Sequence, residues 1–150
     1  MSWLHKFVFI ASNTTCTFEN DQCGYVNNAT DVYHWQRHAG GTASARTGPS
    51  VDHTLKTLQG HYIFMESSSP MHPNQTSHII SPTFPATSNS PQCLKFYYHM
   101  YGQNVGALNV YMMKSGSQKE GNAIWGRNFN QGNTWHAGQI TLYPTGPFQV

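Results

Sequence analysis

Short runs of aromatic and β-branched residues, separated by clusters of Gly, Pro, Ser and Asn, constrain the fold of this chain more than any other feature. Residues 61–66 and 93–101 form two such runs, and residues 107–112 alternate apolar with polar side chains. A sustained 3.6-residue pattern, which would indicate helices, does not occur. We therefore expect an all-β protein, a jelly-roll β-sandwich of antiparallel strands.

Several further strands are expected at the shorter apolar segments. Residues 33–37 alternate so that Tyr33, Trp35 and Arg37 share one face, and residues 102–106 are predicted to join the strands at 93–101 and 107–112 as a hairpin. Other strands are predicted at 79–80, 124–125 and 135–142. Residues 148–150 have the composition of a strand that is beginning, so we expect the last strands of the sandwich to be missing.

The length of 150 residues favours one domain with its own core. Residues 1–12 contain a single basic residue, Lys6, and an apolar run at 7–11 that is short for a signal peptide. We interpret them as an N-terminal extension or a weak signal-like remnant, and assign residues 13–150 to the domain. The chain has no stretch of eighteen apolar residues, so no membrane span is predicted in it.

The composition favours an extracellular β-protein. Only 9% of the residues are charged, against roughly 25% in an ordinary soluble domain, and uncharged polar residues take their place. The eight Lys and Arg residues are scattered along the chain and form no basic stripe. We therefore exclude nucleic acid as a partner.

The three cysteines indicate an oxidising compartment. Cys16 and Cys23 are close enough in sequence to close a small disulfide loop. Cys93 is left over, which suggests a free thiol or a partner outside the chain, beyond residue 150. Three tripeptides fit the N-glycosylation pattern, at Asn13, Asn28 and Asn74, and they also favour the secretory pathway.

Motifs in a fixed order resemble the MAM domain family. They include the segments at 16–19, 23–25, 31–37, 47–54, 60–68, 80–82, 93–102, 106–111, 132–135 and 147–150, together with Trp125. The resemblance covers about residues 13 to 150. It implies an extracellular jelly-roll sandwich with two disulfides, of the kind found in membrane-bound metalloproteases, receptor tyrosine phosphatases and neuronal guidance receptors.

The resemblance also implies roles for particular residues. Cys16 would pair with Cys23, and Cys93 with a cysteine in the C-terminal segment of the family. Glu19 and Asp52 resemble acidic positions that in some MAM domains help to hold a calcium or sodium ion, and carboxylate oxygens suit such hard cations. Alternatively, Asp52 could cap its loop by accepting backbone amides, and Glu19 could be a solvated strand residue.

Other constellations favour structural roles. His34 and His38 are four residues apart, but in a strand and loop that spacing does not direct two imidazoles at one metal ion. The chain has six acidic residues and no nucleophile-elbow or phosphate-binding glycine pattern, so we expect no catalytic centre. Seven aromatic residues could form a sugar-stacking platform, but core positions are the better interpretation: Trp35, Tyr62, Phe64, Phe96, Tyr98, Trp125 and Trp135.

These observations predict an adhesion or protein-recognition module of a larger secreted or membrane-anchored protein. Its partner would be a protein on a cell surface, either the same protein or a different one. Two alternatives remain open: a carbohydrate-binding jelly-roll module, and an accessory domain of an exported protease or phosphatase.

Overall fold

The computed structural model describes residues 14–66, 75–85, 90–117 and 121–150, and the backbone of residues 2–10. The described residues contain strands and no helix, which confirms the all-β class. The strands are β1 (Ser2–Ile10), β2 (Val26–Asn27), β3 (Gln36–Ala39), β4 (His61–Glu66), β5 (Ile79–Ile80), β6 (Gln92–Met100), β7 (Ala107–Val110), β8 (Met113–Lys114), β9 (Trp125–Asn128), β10 (His136–Leu142) and β11 (Phe148–Gln149).

One layer of the fold is a five-stranded antiparallel sheet in the order β10-β6-β1-β4-β3. Alternate residues of β6 point into the core, because successive side chains of a strand face opposite sides. Leu94, Phe96, Tyr98 and Met100 are all buried in this way. The predicted strands at 61–66 and 93–101 are thereby confirmed to within a residue or two.

The second layer consists of short antiparallel pairs, β2 with β5, β11 with β8, and β7 with β9. Residues 79–84 connect the first two pairs, since Ser81 donates to Val150 O and Phe84 pairs with Phe148. Phe148, Leu108 and Val110 contribute to the same buried cluster as Phe96. The core therefore lies between the long sheet and these short strands.

The predicted hairpin between β6 and β7 is wrong. β7 pairs with β9, whereas β6 lies between β1 and β10. Leu108 and Val110 are buried while Ala107 and Asn109 are exposed, so β7 covers the core from the second layer. The turn at 102–106 accordingly carries the chain from one layer to the other.

The N-terminal segment is part of the long sheet. β1 pairs with β4 on one side and with β6 on the other, with Ile10 opposite Cys93. The sequence of residues 1–12 predicts an extension or a signal-like remnant and not this strand. The division of the chain at residue 13 stays a prediction.

Candidate functional site

The small disulfide loop between β1 and β2 is anchored in the core. Cys16 and Cys23 form a disulfide, as their spacing predicts, and Phe18 between them is fully buried. Phe18 has a φ of 61°, a left-handed conformation that a bulky residue rarely adopts. Arg37 holds this backbone, because its Nε donates to Phe18 O at 2.6 Å and its Nη2 donates to Glu19 O.

Glu19 projects from this loop to the start of β4. Its Oε2 accepts a hydrogen bond from the backbone N–H of His61 at 3.0 Å and lies 3.6 Å from His61 Nδ1. The side chain is mostly buried, so it is not the solvated strand residue that the sequence analysis allowed as an alternative.

Asp52 organises the loop at 52–60. Its Oδ2 accepts the N–H groups of Thr54 at 2.6 Å and Leu55 at 2.7 Å, and its Oδ1 accepts that of Thr57 at 3.1 Å. Asp52 is 1% exposed, so these bonds satisfy a carboxylate that would otherwise be costly to bury. The loop-capping alternative for Asp52 is therefore the one the structure contains.

The two acidic residues approach the same peptide group. Glu19 binds the N–H of His61, and the Asp52 carboxylate packs against the α-carbon of Gly60. Calcium takes six to eight oxygen ligands, roughly, and the described residues contain no group of three His, Cys, Asp or Glu that could hold a metal ion. Two carboxylates alone do not fit such an ion, and an ion at Glu19 and Asp52 stays a prediction.

The loop at 52–60 presents two leucines to solvent. Leu55 is 53% exposed and Leu58 is 62% exposed. Besides the bonds to Asp52, the loop is closed by Gly60 N donating to Thr57 Oγ1 at 3.1 Å. This exposed loop is not among the features predicted from sequence, although an Asp followed by Thr and later by Gly is a signal for an Asx-type turn.

Aromatic and histidine rings also pack on the outer face of the long sheet, which is the face directed away from the core. His53 stacks on Tyr97 with ring centroids 3.4 Å apart, and Trp135 Nε1 donates to Val51 O at 3.0 Å. Tyr62, fully buried, donates its hydroxyl to Gly40 O. Residues 40–60 thus lie over this face and are held to it by ring contacts and hydrogen bonds.

His99 is, like Tyr62, a buried titratable group of this face. It is 1% exposed, and its Nε2 lies 3.1 Å from Asn133 Oδ1. Burial lowers the pKa of His99 from 6.5 to about 4 against the opposing effect of the Asn133 bond, and the nearby His136 lowers it further. His99 is therefore neutral at physiological pH, with Nε2 as the donor to Asn133.

The remaining predicted residues lie apart from this loop. His34 is exposed, whereas His38 Nε2 lies 3.0 Å from Gly41 O and its ring contacts Phe64, which is a structural role. Three of the proposed stacking aromatics lie in the core cluster, in agreement with the preferred interpretation: Trp35, Phe96 and Tyr98. Tyr62 is equally buried, but on the outer face of the sheet beneath residues 40–60.

Asn28 is the one predicted glycosylation position that lies within the described residues. Asn28 is half-buried, and its Oδ1 accepts from Thr30 N at 3.3 Å and from Thr30 Oγ1 at 3.2 Å. Its Nδ2 lies 3.4 Å from Asp31 Oδ1. Asn13 and Asn74 lie outside the described residues.

Cys93 is a half-buried free thiol near the start of β6, opposite Thr141 of β10. Its pairing with a cysteine outside the chain stays a prediction. No helix in the described residues has the length and apolar character needed to cross a membrane.

An antiparallel two-layer β-fold with a disulfide between β1 and β2 defines a disulfide-stapled β-sandwich module. The family MAM domain, meprin/A5/mu, matches residues 16–150, and the chain belongs to this family. It is an extracellular module, as family membership and the disulfide together indicate.

Curated relatives include longer proteins that contain this domain. The chain is 33% identical over 144 residues to human MAM domain-containing glycosylphosphatidylinositol anchor protein 1, covering 93% of this chain and 15% of that protein. It is 31% identical over 147 residues to mouse MAM domain-containing glycosylphosphatidylinositol anchor protein 2, covering 90% of this chain and 15% of that protein. Thyroid hormone-induced protein B of Xenopus laevis is 37% identical over 125 residues, which cover 83% of this chain and 18% of that protein. The chain thus spans less than a fifth of these relatives.

Proposed function

We propose that this chain is a protein-recognition module of a larger secreted or membrane-anchored protein, with adhesion as its role and no catalysis of its own. The observation that carries this proposal is the loop at 52–60, which holds Leu55 and Leu58 in solvent on a hydrogen-bonded frame. Two of the matched relatives are named as glycosylphosphatidylinositol anchor proteins, which supports a surface-attached parent.

A fixed loop is favourable for recognition because it reduces the entropy lost on binding. Ordering a flexible segment costs roughly 1–2 kcal/mol per residue in backbone entropy, and this loop is already closed by Asp52. Two aliphatic side chains on such a frame can enter a shallow apolar depression on a partner. The neighbouring Lys56 is also exposed and adds a positive charge at the rim.

The test uses the secreted chain, multimerised and fluorescently labelled, and measures its binding to a panel of cells. Each cell line of the panel displays one added surface protein. We expect saturable binding to at least one partner, and a loss of affinity of about tenfold or more in the double variant Leu55→Ser, Leu58→Ser. Val32→Ser is the matched control, because Val32 is an exposed aliphatic residue outside the loop.

Equal binding by the double variant and by the wild-type chain would reject the loop as the recognition surface. Absence of binding to any surface protein, and to the chain itself, would reject the module function.

Glycan on Asn28, Asn13 or Asn74 of the secreted protein is expected in addition, and peptide mass mapping would detect it. An ion held by Glu19 and Asp52 would appear as a rise in melting temperature with calcium or sodium.

A further inference from the structure

The strand β9 holds an exposed guanidinium group at the rim of the core. Trp125 packs edge-on against Phe96 with ring centroids 4.8 Å apart, and Arg127 Cζ lies 4.8 Å from the centroid of the Trp125 ring. Arg127 Nη1 donates to Gly126 O at 2.9 Å. Arg127 is nevertheless exposed, so most of its N–H donors stay available to a ligand in a fixed orientation.

The charge of Arg127 favours an anionic ligand. Among the described residues, no ion pair involves Arg127. The described residues from 75 to 150 include three Lys or Arg side chains, Lys95, Lys114 and Arg127, and no Asp or Glu. A guanidinium binds a carboxylate through paired N–H···O bonds, so a carboxylate is the group that fits Arg127.

Two residues further along the chain, Phe129 is both strained and exposed. Its φ is 63°, a left-handed conformation that is rare for a bulky side chain, and it is 71% exposed. Phe18 has a similar φ of 61°, but its ring is buried in the core. Packing therefore accounts for Phe18 and not for Phe129, where a glycine would adopt the same backbone without strain. Strained residues of this kind cluster at binding sites.

Hydrogen bonds on both sides fix the backbone of Phe129. Phe129 N donates to Gly106 O, and Gln131 N donates to Met100 O, both at 2.7 Å. Gln131 Nε2 donates to Asn128 O at 2.8 Å. The ring of Phe129 is thus presented on an ordered loop, next to the exposed amide of Asn128.

The last residues of the chain do not pair with β9. Phe148 pairs with Lys114 on one side and with Phe84 on the other, and Ser81 N donates to Val150 O at 2.8 Å. β11 is therefore flanked by β8 and by residues 81–84, and β9 is not its neighbour.

The exposed groups of Arg127 and Phe129 match the size and chemistry of an acidic sugar. Their α-carbons lie at most about 7 Å apart, a distance that one sugar ring with its substituents can span. A sialic acid carries a carboxylate for the guanidinium and an acetamido methyl group for the aromatic ring. A protein interface of standard size buries roughly 800 Å² on each partner, which is far more than these two side chains offer.

We propose that Arg127, Asn128 and Phe129 form a binding site for a carboxylate-bearing sugar of cell-surface glycans. Arg127 binds the carboxylate, Phe129 packs against the acetamido methyl group, and the Asn128 amide bonds a hydroxyl group. A shallow site of this kind binds one sugar weakly, and dense display of glycans on a cell raises the avidity. The proposal goes beyond the protein-recognition function above, since both the surface and the class of ligand are different.

The test is saturation-transfer NMR, which detects the ligand signals that receive magnetisation from the protein. It uses the chain and its secreted full-length parent. The probes are sialyllactose, a hyaluronan tetrasaccharide and, as the neutral reference, lactose. We expect transfer to the acetamido methyl group of at least one acidic probe and none to lactose. Either acidic probe supports the site, and their relative affinities tell whether the acidic sugar is a sialic acid or a uronic acid.

Two variants remove the binding groups. Phe129→Gly and Arg127→Gln should each raise the dissociation constant of the acidic probe about fivefold or more. Phe129→Gly should also keep or raise the melting temperature, because glycine suits a positive φ. The matched controls are Tyr143→Ser, which removes another exposed ring, and Arg46→Gln, which removes another exposed guanidinium. Both controls should bind as the wild-type chain does.

The inference is overturned by absence of transfer to both acidic probes, by unchanged binding in Phe129→Gly, or by an equal loss in the two controls. A lower melting temperature of Phe129→Gly would show that the ring packs within the fold. Protection of Phe129 from hydroxyl-radical oxidation in the free parent would show that another part of the parent covers it. Each of these two results also overturns the site, and so does binding of a tetraglutamate peptide in place of both sugars, which would indicate an acidic protein segment.

The sugar site and the protein-recognition function can fail separately. Binding of an acidic sugar by the Leu55→Ser, Leu58→Ser variant, together with absence of binding to any surface protein, supports the sugar site and rejects the role of the two leucines. Binding to a surface protein that survives treatment of the cells with sialidase and hyaluronidase supports the recognition function. If the acidic probes then show no transfer, the sugar site alone is rejected.

Discussion

A β-carbon on Gly60 would lie 1.9 Å from Asp52 Oδ1, so the buried carboxylate occupies the space that any other residue at position 60 would need. The carboxylate is held there by three backbone N–H groups of its own loop. Gly60 and Asp52 therefore depend on each other. The shape of the loop that exposes Leu55 and Leu58 rests on this contact.

Gly60→Ala is expected to displace Asp52 and to lower the free energy of unfolding by about 2–4 kcal/mol, because it leaves a buried carboxylate without its bonds. Urea denaturation followed by tryptophan fluorescence would measure the change. Gly146→Ala is the control, since an added methyl group meets no atom within 4 Å there. A loss below about 0.5 kcal/mol in Gly60→Ala would contradict this account.

Gly138 and Phe96 form a second such contact, in the core. A β-carbon on Gly138 would lie 2.4 Å from Phe96 Cζ. We expect Gly138→Ala to cost about 1–3 kcal/mol through overpacking. In the background of Phe96→Leu the same substitution should cost less, and a double-mutant cycle from denaturation curves would measure the coupling. Independent, additive effects would show that the two residues do not compete for space.

Arg37 stabilises the disulfide loop through two carbonyl groups, those of Phe18 and Glu19. Arg37→Lys cannot reproduce the two-pronged guanidinium geometry and should cost about 1–3 kcal/mol. Arg127→Lys is the control, because Arg127 is exposed and contacts the ring of Trp125. Differential scanning calorimetry would compare the melting temperatures of the Arg37→Lys and Arg127→Lys variants. Equal melting temperatures would contradict the proposed role of Arg37.

His99 makes stability depend on pH. Burial lowers its pKa in the folded protein to about 4, so the unfolded chain, with a histidine pKa near 6.5, binds a proton more readily. The contribution of neutral, buried His99 to the free energy of unfolding is therefore fully present above pH 6.5 and is lost as the pH falls through 4. It amounts to about 2–3 kcal/mol.

The variant His99→Phe isolates this contribution. The difference in unfolding free energy between the two proteins should change between pH 7 and pH 4, and denaturation at several pH values would measure it. His34→Phe is the control, since His34 is exposed. A difference that is constant across this range would contradict the depressed pKa of His99.

The elements that could be predicted from sequence are those whose local pattern is strong. β4 and β6 carry aromatic and β-branched residues between clear turn signals, and both formed where expected. The partner of β7 could not be predicted, because alternation identifies a buried face but does not show which layer covers it. β1 was missed because a short apolar run next to a single lysine also fits a signal-like segment.

The candidate site was predictable only in its parts. Asp52 and Glu19 were singled out from sequence, and the two alternatives for Asp52 were both stated. The convergence of both side chains on Gly60 and His61 depends on a contact between residues about forty positions apart in sequence. No local pattern carries such information. The exposure of Leu55 and Leu58 instead follows from the bonds of Asp52 within its own loop, and the Asp, Thr and Gly of that loop are a local signal for it.

The ring layer beneath residues 40–60 has a consequence for how the module can diversify. Three contacts hold most of this segment to the sheet. His53 stacks on Tyr97, the carbonyl of Val51 accepts a hydrogen bond from Trp135, and the carbonyl of Gly40 accepts one from Tyr62. Substitutions in these anchors would disturb the fold, whereas Leu55 and Leu58 can change without touching them. If the proposed recognition function holds, substitutions at Leu55 and Leu58 would therefore change the partner that is bound and leave the fold of the segment unchanged.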